Sequence, residues 1–301
     1  ASHLTNLVRG LNRADRKPDE LVIAVMQAEP YELPAADFPV RQLMMGSSGI
    51  PLAAARNAAA QRAGGDLLVF LDVDCIPSPT LIADYEAASV GHNGVFMGEV
   101  AYLPAGTDTA SMDFAAFDQV GVKHSERPGP PTESIGPCRD YRCFWSLNFA
   151  ISANDFGHVG GFDERYVGYG GEDTDFGRMV SAAELPIWWV RGAKAYHQYH
   201  PHHMPPVHHL DSVLANARRF QEKWGEPTMQ HWLRAFRLMG LADRRDDRWV
   251  KLRDPSEADL ALTRQQEDQP YASSAAVLAQ LESAAEAATG EEARPASMAS
   301  A

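Results

Sequence analysis

Two carboxylates one residue apart, Asp72 and Asp74, end the apolar run Leu67-Leu-Val-Phe-Leu71. A continuous apolar run of that length, followed by Pro77 and Pro79, predicts a strand buried on both faces and stopped by the prolines. Open α/β sheets receive ligands beyond the carboxyl ends of such strands. Two acids there cannot serve as core, because unpaired buried carboxylates are too costly. They call for a cation, and Asp-x-Asp suits a hard divalent metal carrying phosphates. Asp74 is the expected metal ligand, and Asp72 is expected to contact ribose or the metal indirectly. A solvated acidic turn is the competing explanation, weakened by the strand that precedes it.

Four other groups have types and spacings suited to chemistry. Arg56-Asn57 lies upstream on an alanine-rich stretch, and arginine offers phosphate a rigid fork of donors; a surface arginine beside an acid explains it as well. Gly168-Tyr-Gly-Gly-Glu-Asp-Thr-Asp175 combines glycines, which let backbone such as Gly170 and Gly171 approach a ligand, with three acids at a helix start. An acid ionised near a reacting hydroxyl is a candidate general base. Six of the eleven histidines lie between His197 and His209. His197-Gln-Tyr-His200 places two imidazoles three residues apart, suitable for one metal; not all six can be ligands. With a carboxylate they suit Mn²⁺ as well as Mg²⁺. Sugar faces stack on aromatic rings, so Tyr169 between glycines is a candidate acceptor platform, Trp145 is a further candidate acceptor contact, and at least one of Trp188 and Trp189 is expected in the core.

The elements that must position these groups follow in order. Leu4, Leu7, Val8 and Leu11 have helical spacing, so the chain opens in a helix. Leu21–Met26 and Val40–Met45 are strands, and the turn Gly46–Pro51 leads into a helix over 52–62. A helix from Thr80, a strand over 94–102 and a long proline-marked loop over 103–142 come next. Then follow a strand over 145–152, a short helix, the helix beginning at the Gly/acid loop, and a strand over 187–190. Helices over 213–224 and 228–241 close the ordered part. From about 241 charge dominates, and from Ser273 to Ala301 the Ala/Ser/Glu composition reads as a disordered tail after a helical extension. The expected domain is 1–240, with a donor half about 1–102 and an acceptor half about 143–210, and 241–301 as the extension. An α/β domain of this kind begins with a strand, so a strand before the first helix is expected outside this chain.

Composition narrows the function. The 301 residues carry a net charge of −13, which argues against a nucleic-acid partner. No apolar run is long enough to span a bilayer; peripheral membrane contact and a lipid-linked acceptor stay open. Three cysteines do not make a disulfide framework, and reduced thiols in a cytoplasmic protein are the expectation.

Taken together, these residues resemble a GT-A glycosyltransferase, most similar to glycosyltransferase family 2. Gly49-Ile-Pro-Leu-Ala-Ala-Ala-Arg-Asn57, Gly65-Asp66 and Phe70-Leu-Asp-Val-Asp74 match that family's donor half. Gly168-Tyr-Gly-Gly-Glu-Asp173 resembles the acceptor motif of β1,4-galactosyltransferases and polypeptide N-acetylgalactosaminyltransferases, with Tyr169 where tryptophan is common. The resemblance covers residues 4–240 and implies a Rossmann-like mixed sheet flanked by helices, a Mn²⁺ or Mg²⁺ cofactor and a nucleotide-diphosphate sugar donor, UDP-sugar favoured, with a carbohydrate or other hydroxyl acceptor. It implies that Arg56, Asn57, Asp66, Asp72 and Val73 lie by the nucleotide. Asp74 and His200, with His197 second, would bind the metal. Glu172 and Asp173 would meet the acceptor with Asp173 as inverting base. The acid usual at the end of the second strand is replaced near Gln27 and Glu29.

Three rival functions compete with this reading. A retaining enzyme would use Asp173 only to orient the acceptor. A nucleotidyltransferase would need a basic Gly-rich triphosphate loop near the N-terminus, which the sequence lacks. A non-catalytic sugar- or nucleotide-binding partner would have no use for the acids and histidines.

Overall fold

The computed structural model describes residues 2–46 and 49–292. They fall into two units: the chain up to His200 with Glu267–Tyr271, and Pro201–Gln266 with the chain from Ala272 on. The expected boundary near 240 lies inside the second unit.

Alternation along three central strands builds the first unit. These strands are β5 (Val95–Tyr102), β8 (Asn148–Ser152) and β9 (Ile187–His197). Val95 and Met97, Phe149 and Ile151, and Ile187 and Trp189 point to one face; Phe96, Ala150, Ala193 and Ala195 point to the other. The first face is covered by α2 (Leu52–Arg62), α5 (Ala153–Val159) and α6 (Glu172–Ala182), through Ala53, Phe156 and Phe176. The second is covered by α1 (Ser2–Asn12) and α3 (Leu81–Ser89), through Leu4, Leu7, Val8, Leu81 and Tyr85. The same core takes in β1 (Leu21–Val25), which pairs in parallel with β2 (Val40–Met44).

The main sheet runs β3-β8-β5-β9-β4, where β3 is Leu67–Leu71 and β4 is Cys75–Pro77. It is mixed: β5 and β9 are parallel, while β3–β8, β5–β8 and β4–β9 are antiparallel. This corrects two expectations. The apolar strand ends at Leu71, ahead of the prolines, and only Leu68 of its five residues is fully buried, because β3 is an outer strand of this sheet. The chain then turns through 72–74 into β4. Pro77 is tolerated there because β4 is the opposite edge strand. Among the described strands β1 pairs only with β2, and β3 only with β8.

The segment 103–142 is more ordered than its prolines suggest. It holds α4 (Phe114–Val120), β6 (Val122–Lys123), which pairs with β5, and β7 (Ile135–Cys138), which pairs with β9. Asp113 caps α4 by accepting from the Ala116 amide. Strand β9 also runs seven residues past the expected end at Val190.

The second unit packs α7 (Leu210–Trp224), α8 (Gln230–Leu238), the hairpin β10 (Ala242–Arg245) and β11 (Arg248–Lys251), α9 (Glu257–Thr263) and α10 (Ser274–Glu292). Its core joins Leu210, Val213, Leu233 and Phe236. Helix α10 occupies most of the stretch read from composition as a disordered tail; residues 293–301 lie outside the described residues, as do Ser47 and Ser48 of the predicted turn. No described helix is long and apolar enough to cross a membrane.

Candidate active site

The turn between β3 and β4 and the end of β9 meet because of strand register. Cys75 of β4 pairs with His197 of β9, so Asp74 emerges beside His197, and the backbone N–H of Gln198 donates to the Asp74 carbonyl at 2.8 Å. Asp74 Oδ2 lies 3.2 Å from His200 Nε2 and 3.6 Å from His197 Nε2. One ligand atom from each of the three residues falls within 4.8 Å of the others. One carboxylate and two imidazoles form a donor set that fits Mn²⁺ or another borderline divalent ion, so these residues would hold the expected metal. Burial pushes the Asp74 carboxyl up, but the hydrogen bond from His200 and the nearby imidazoles of His197 and His3 outweigh it and hold it at about 2. The ligand is therefore ionised across the physiological range.

Gln198 supports this cluster from behind. It is 1% exposed, its amide donates to the Asp74 and His3 carbonyls, and its Oε1 accepts from Asn6 Nδ2 at 2.8 Å. The other histidines of the cluster, His202, His203, His208 and His209, belong to the second unit, and none is in a metal-competent group among the described residues.

Arg56 of α2 joins the two motifs. Its Nη2 is 3.1 Å from Asp72 Oδ1 and its Nη1 is 3.3 Å from Glu172 Oε1. A single buried guanidinium thus ties the Asp-x-Asp turn to the first acid of α6. Burial, then the neighbouring Asp74 and Glu172, push the Asp72 carboxyl up against the pull of Arg56. Replacing Arg56 by Met should destabilise the fold by about 3 kcal/mol, the lower end for a broken buried ion pair because Asp72 keeps 40% of its side-chain exposure. Urea unfolding checks this; an unchanged midpoint would remove the bridge from the structural account.

The Gly/acid motif reaches the same place through Glu172, which pairs with Arg56. Gly168, Gly170 and Gly171 have φ of +85°, +88° and +92°, left-handed conformations that need glycine, and Gly171 is the N-cap of α6. The acids that follow diverge in role. Asp175 is fully buried, where Tyr166 Oη donates to it at 3.2 Å, and is structural. Asp173 accepts from the Thr174 amide at 2.7 Å. Burial, reinforced by Glu172, raises the Asp173 carboxyl to about 7. Tyr169 sits among these groups: burial and the surrounding Glu172, Asp173, Asp72 and Asp74 all push its hydroxyl up. The two motifs meet at Arg56, whose guanidinium holds Asp72 on one side and Glu172 on the other.

Two expected donor residues are placed otherwise. Both ends of the Asn57 amide are used: Nδ2 donates to the Phe162 carbonyl at 2.8 Å and to Glu164 at 2.9 Å, and Oδ1 accepts from the Phe162 amide. Asn57 pins the 160–164 turn to α2. Asp66 is exposed and precedes β3, while Asp72 follows it; six extended residues, at ~3.3 Å each, put them roughly 20 Å apart. The structure does not bring Asp66 to the cleft. Val73 is at the tip of the turn, 51% exposed. Trp145 packs edge-on to His124, 5.0 Å ring to ring.

Several residues of this region escaped sequence reasoning. Tyr102, paired in register with His197, stacks at 4.8 Å from its ring. Tyr271 returns from the C-terminal region to lie 4.0 Å from His124, and its hydroxyl accepts from the Ser125 amide. His3 packs 5.7 Å from His200. No local motif marks them; only the position of Tyr102 at a strand end was a usable signal.

Known proteins bear on this geometry. Residues 132–203, which include the Gly/acid motif and both cluster histidines, match the family described as the N-terminal domain of galactosyltransferase. Validoxylamine A glucosyltransferase of Streptomyces hygroscopicus subsp. jinggangensis (strain 5008) is 26% identical over 211 residues, 61% of this chain and 47% of that protein. Chondroitin synthase of Escherichia coli is 27% identical over 176 residues, 51% of this chain and 26% of that protein. The chain thus spans less than half the length of these relatives. Among solved structures, S. aureus TarS superposes with a TM-score of 0.50 at 14% identity, over 77% of this chain and 39% of that one. The fold is of the GT-A class, as in TarS, and residues 132–203 are similar to a galactosyltransferase domain.

Proposed function

We propose that this domain is a metal-dependent inverting glycosyltransferase that moves a sugar from a nucleotide-diphosphate donor, UDP-sugar favoured, to a hydroxyl of a carbohydrate or other acceptor. The observation that carries this reading is the bridge by which Arg56 joins the Asp72/Asp74 turn, with its metal-competent Asp74/His197/His200 cluster, to the Glu172/Asp173 pair. The relatives named as a glucosyltransferase and a chondroitin synthase support sugar transfer.

Each residue has a task. Asp74, His200 and His197 would hold Mn²⁺ or Mg²⁺, which when bound supplies positive charge to the leaving diphosphate. Asp72, Val73 and Arg56 border the donor, and Asn57 holds the turn beside them. Tyr169, Gly170, Gly171 and Trp145 frame the acceptor. Asp173 takes the proton from the acceptor hydroxyl as that oxygen bonds to the anomeric carbon and the bond to the diphosphate oxygen breaks. Glu172, held by Arg56, keeps the Asp173 carboxyl up. A carboxyl at about 7 suits a base at neutral pH, which favours inversion over a retaining scheme in which Asp173 only orients the acceptor.

The test is incubation with a panel of UDP-sugars and Mn²⁺, read by proton NMR. Free UDP should appear, with the released or transferred sugar in the anomeric configuration opposite to the donor's. Retained configuration would sink the inverting assignment, and no turnover of any nucleotide sugar would sink the transferase reading.

A further inference from the structure

A second pocket of the first unit lies between β5, β9 and the segment 118–130, with a volume of 210 Å³. Gly98 lines it, and only glycine fits there. A register shift interrupts the β5–β9 pairing beside it, and a Cβ there would sit 2.1 Å from the Ala193 carbonyl and 2.5 Å from the Tyr85 hydroxyl. The pocket's walls carry Glu99, Asp118, Lys123, Arg127 and Lys194.

Arg127 is the anomaly. It is 5% exposed, and all three of its guanidinium nitrogens are buried with no hydrogen-bond partner among the described residues. The cation instead lies between two indoles, 5.5 Å from Trp145 and 5.0 Å from Trp189. Stacking of that kind offsets part of the cost of burying a charge but leaves every N–H donor unmet. Burial pulls the guanidinium pKa down accordingly. The other charges do not answer it. Lys194 is paired with Asp118 at 2.8 Å, Lys123 donates to the Pro128 carbonyl, and Glu99 makes no ion pair with Arg127. Three cations against two carboxylates leave the pocket positive.

The loop around Arg127 is also held in place. His124 accepts the Arg127 backbone N–H through its carbonyl at 3.2 Å, and the His124 ring is stacked on Tyr271 and edge-on to Trp145. Tyr102 links the pocket to the metal cluster, packing against His124 on one side and His197 on the other.

We propose that this pocket receives an oxyanion, a carboxylate or a phosphate carried by a small ligand, with Arg127 as its receptor. The planar fork of the guanidinium matches either group with two parallel hydrogen bonds, and the two indoles fix its plane. The position beside His197 makes the anion part of a molecule that also reaches the cleft, on the acceptor side through Trp145 or on the donor side through Tyr102. Anion binding at Arg127 does not need the transfer reaction; its assignment to the acceptor or the donor rests on the proposed function.

The experiment compares wild type, Arg127→Met and Arg127→Lys by calorimetric titration and thermal unfolding, without nucleotide sugar and at matched ionic strength with NaCl. The probes are inorganic phosphate, D-glucuronate with D-glucose as its neutral control, and UDP. At least one anion should bind wild type and raise its Tm, with at least tenfold weaker binding to Arg127→Met and an intermediate loss in Arg127→Lys. A response to glucuronate but not glucose places the group on the acceptor side; a response confined to UDP places it on the donor; phosphate alone marks a site for the free ion. Because the Met side chain removes an unmet buried charge, Arg127→Met without ligand should unfold no lower than wild type. No anion response in wild type, or equal responses in wild type and Arg127→Met, would overturn the proposal.

Discussion

Asp173→Asn should cut transfer by about 10²–10⁴-fold, the range for loss of a positioned general base, while nucleotide binding in the presence of Mn²⁺ stays within a few-fold of wild type. The substitution keeps the shape of the side chain and its contact with Thr174, and it removes the carboxylate proposed as the base. It also separates chemistry from folding. The folded chain raises the Asp173 carboxyl from 3.8 to about 7, so ionising it above that range works against the fold; the Asn variant should be at least as stable as wild type at neutral pH. A stable variant that binds donor and does not turn over is the expected result. Equal loss of donor affinity would move Asp173 from the acceptor to the donor side.

The pH profile gives the same assignment a second reading. The base must be ionised to accept a proton, so kcat/KM for the free enzyme should fall tenfold per pH unit below about 7 and level off above it. The sign follows from the cause: burial and Glu172 disfavour the charged form, so raising the pH supplies it. Glu172→Gln should shift that limb toward lower pH by removing a neighbouring negative charge. A profile flat down to pH 5 would mean that some other group carries the proton.

Much of this site was legible because its residues come in short motifs whose spacing is itself structural. Asp72 and Asp74 end an apolar run; the glycines before Glu172 need left-handed backbone; His197 and His200 flank a buried glutamine. What sequence could not supply was the register that joins them. Strand β9 carries Arg191 and Lys194 inside its span, which break the apolar pattern and hide its last seven residues, yet those residues set Cys75 opposite His197. Asn57 shows a different limit. A motif fixes where a side chain sits along a helix but not what satisfies its amide, and here the 160–164 turn, about a hundred residues away, satisfies both ends. Arg127 and Tyr271 carried no motif and became visible only when burial and ring contacts were known. The C-terminal composition misled because Ala and Glu are also strong helix formers, and Ser274–Glu292 forms a helix.

Asp74→Ala should abolish metal-dependent nucleotide binding, and the loss should be visible with the metal alone. Asp74 is the only carboxylate of the three-residue cluster, and without it two imidazoles remain to hold a hard or borderline cation. Removing an outer partner of a metal ligand already costs about 10–100-fold in affinity. Loss of a direct anionic ligand should exceed that. Gln198→Leu supplies the comparison: it leaves all three ligands in place and removes the amide that buttresses the Asp74 and His3 carbonyls, so it should fall within the 10–100-fold range. Mn²⁺ titration followed by electron paramagnetic resonance reads free ion directly and needs no turnover. Calorimetry with UDP, with and without Mn²⁺, then shows whether nucleotide affinity follows the metal. The Asp74 carboxyl is held at about 2, so wild-type metal affinity should lose nothing to its protonation between pH 5 and 8. Any decline toward acid in that window then belongs to the two imidazoles, which must be neutral to ligate. Asp74→Asn distinguishes charge from shape: if it binds Mn²⁺ as tightly as wild type, the cluster is a hydrogen-bonded structural triad and the metal assignment fails.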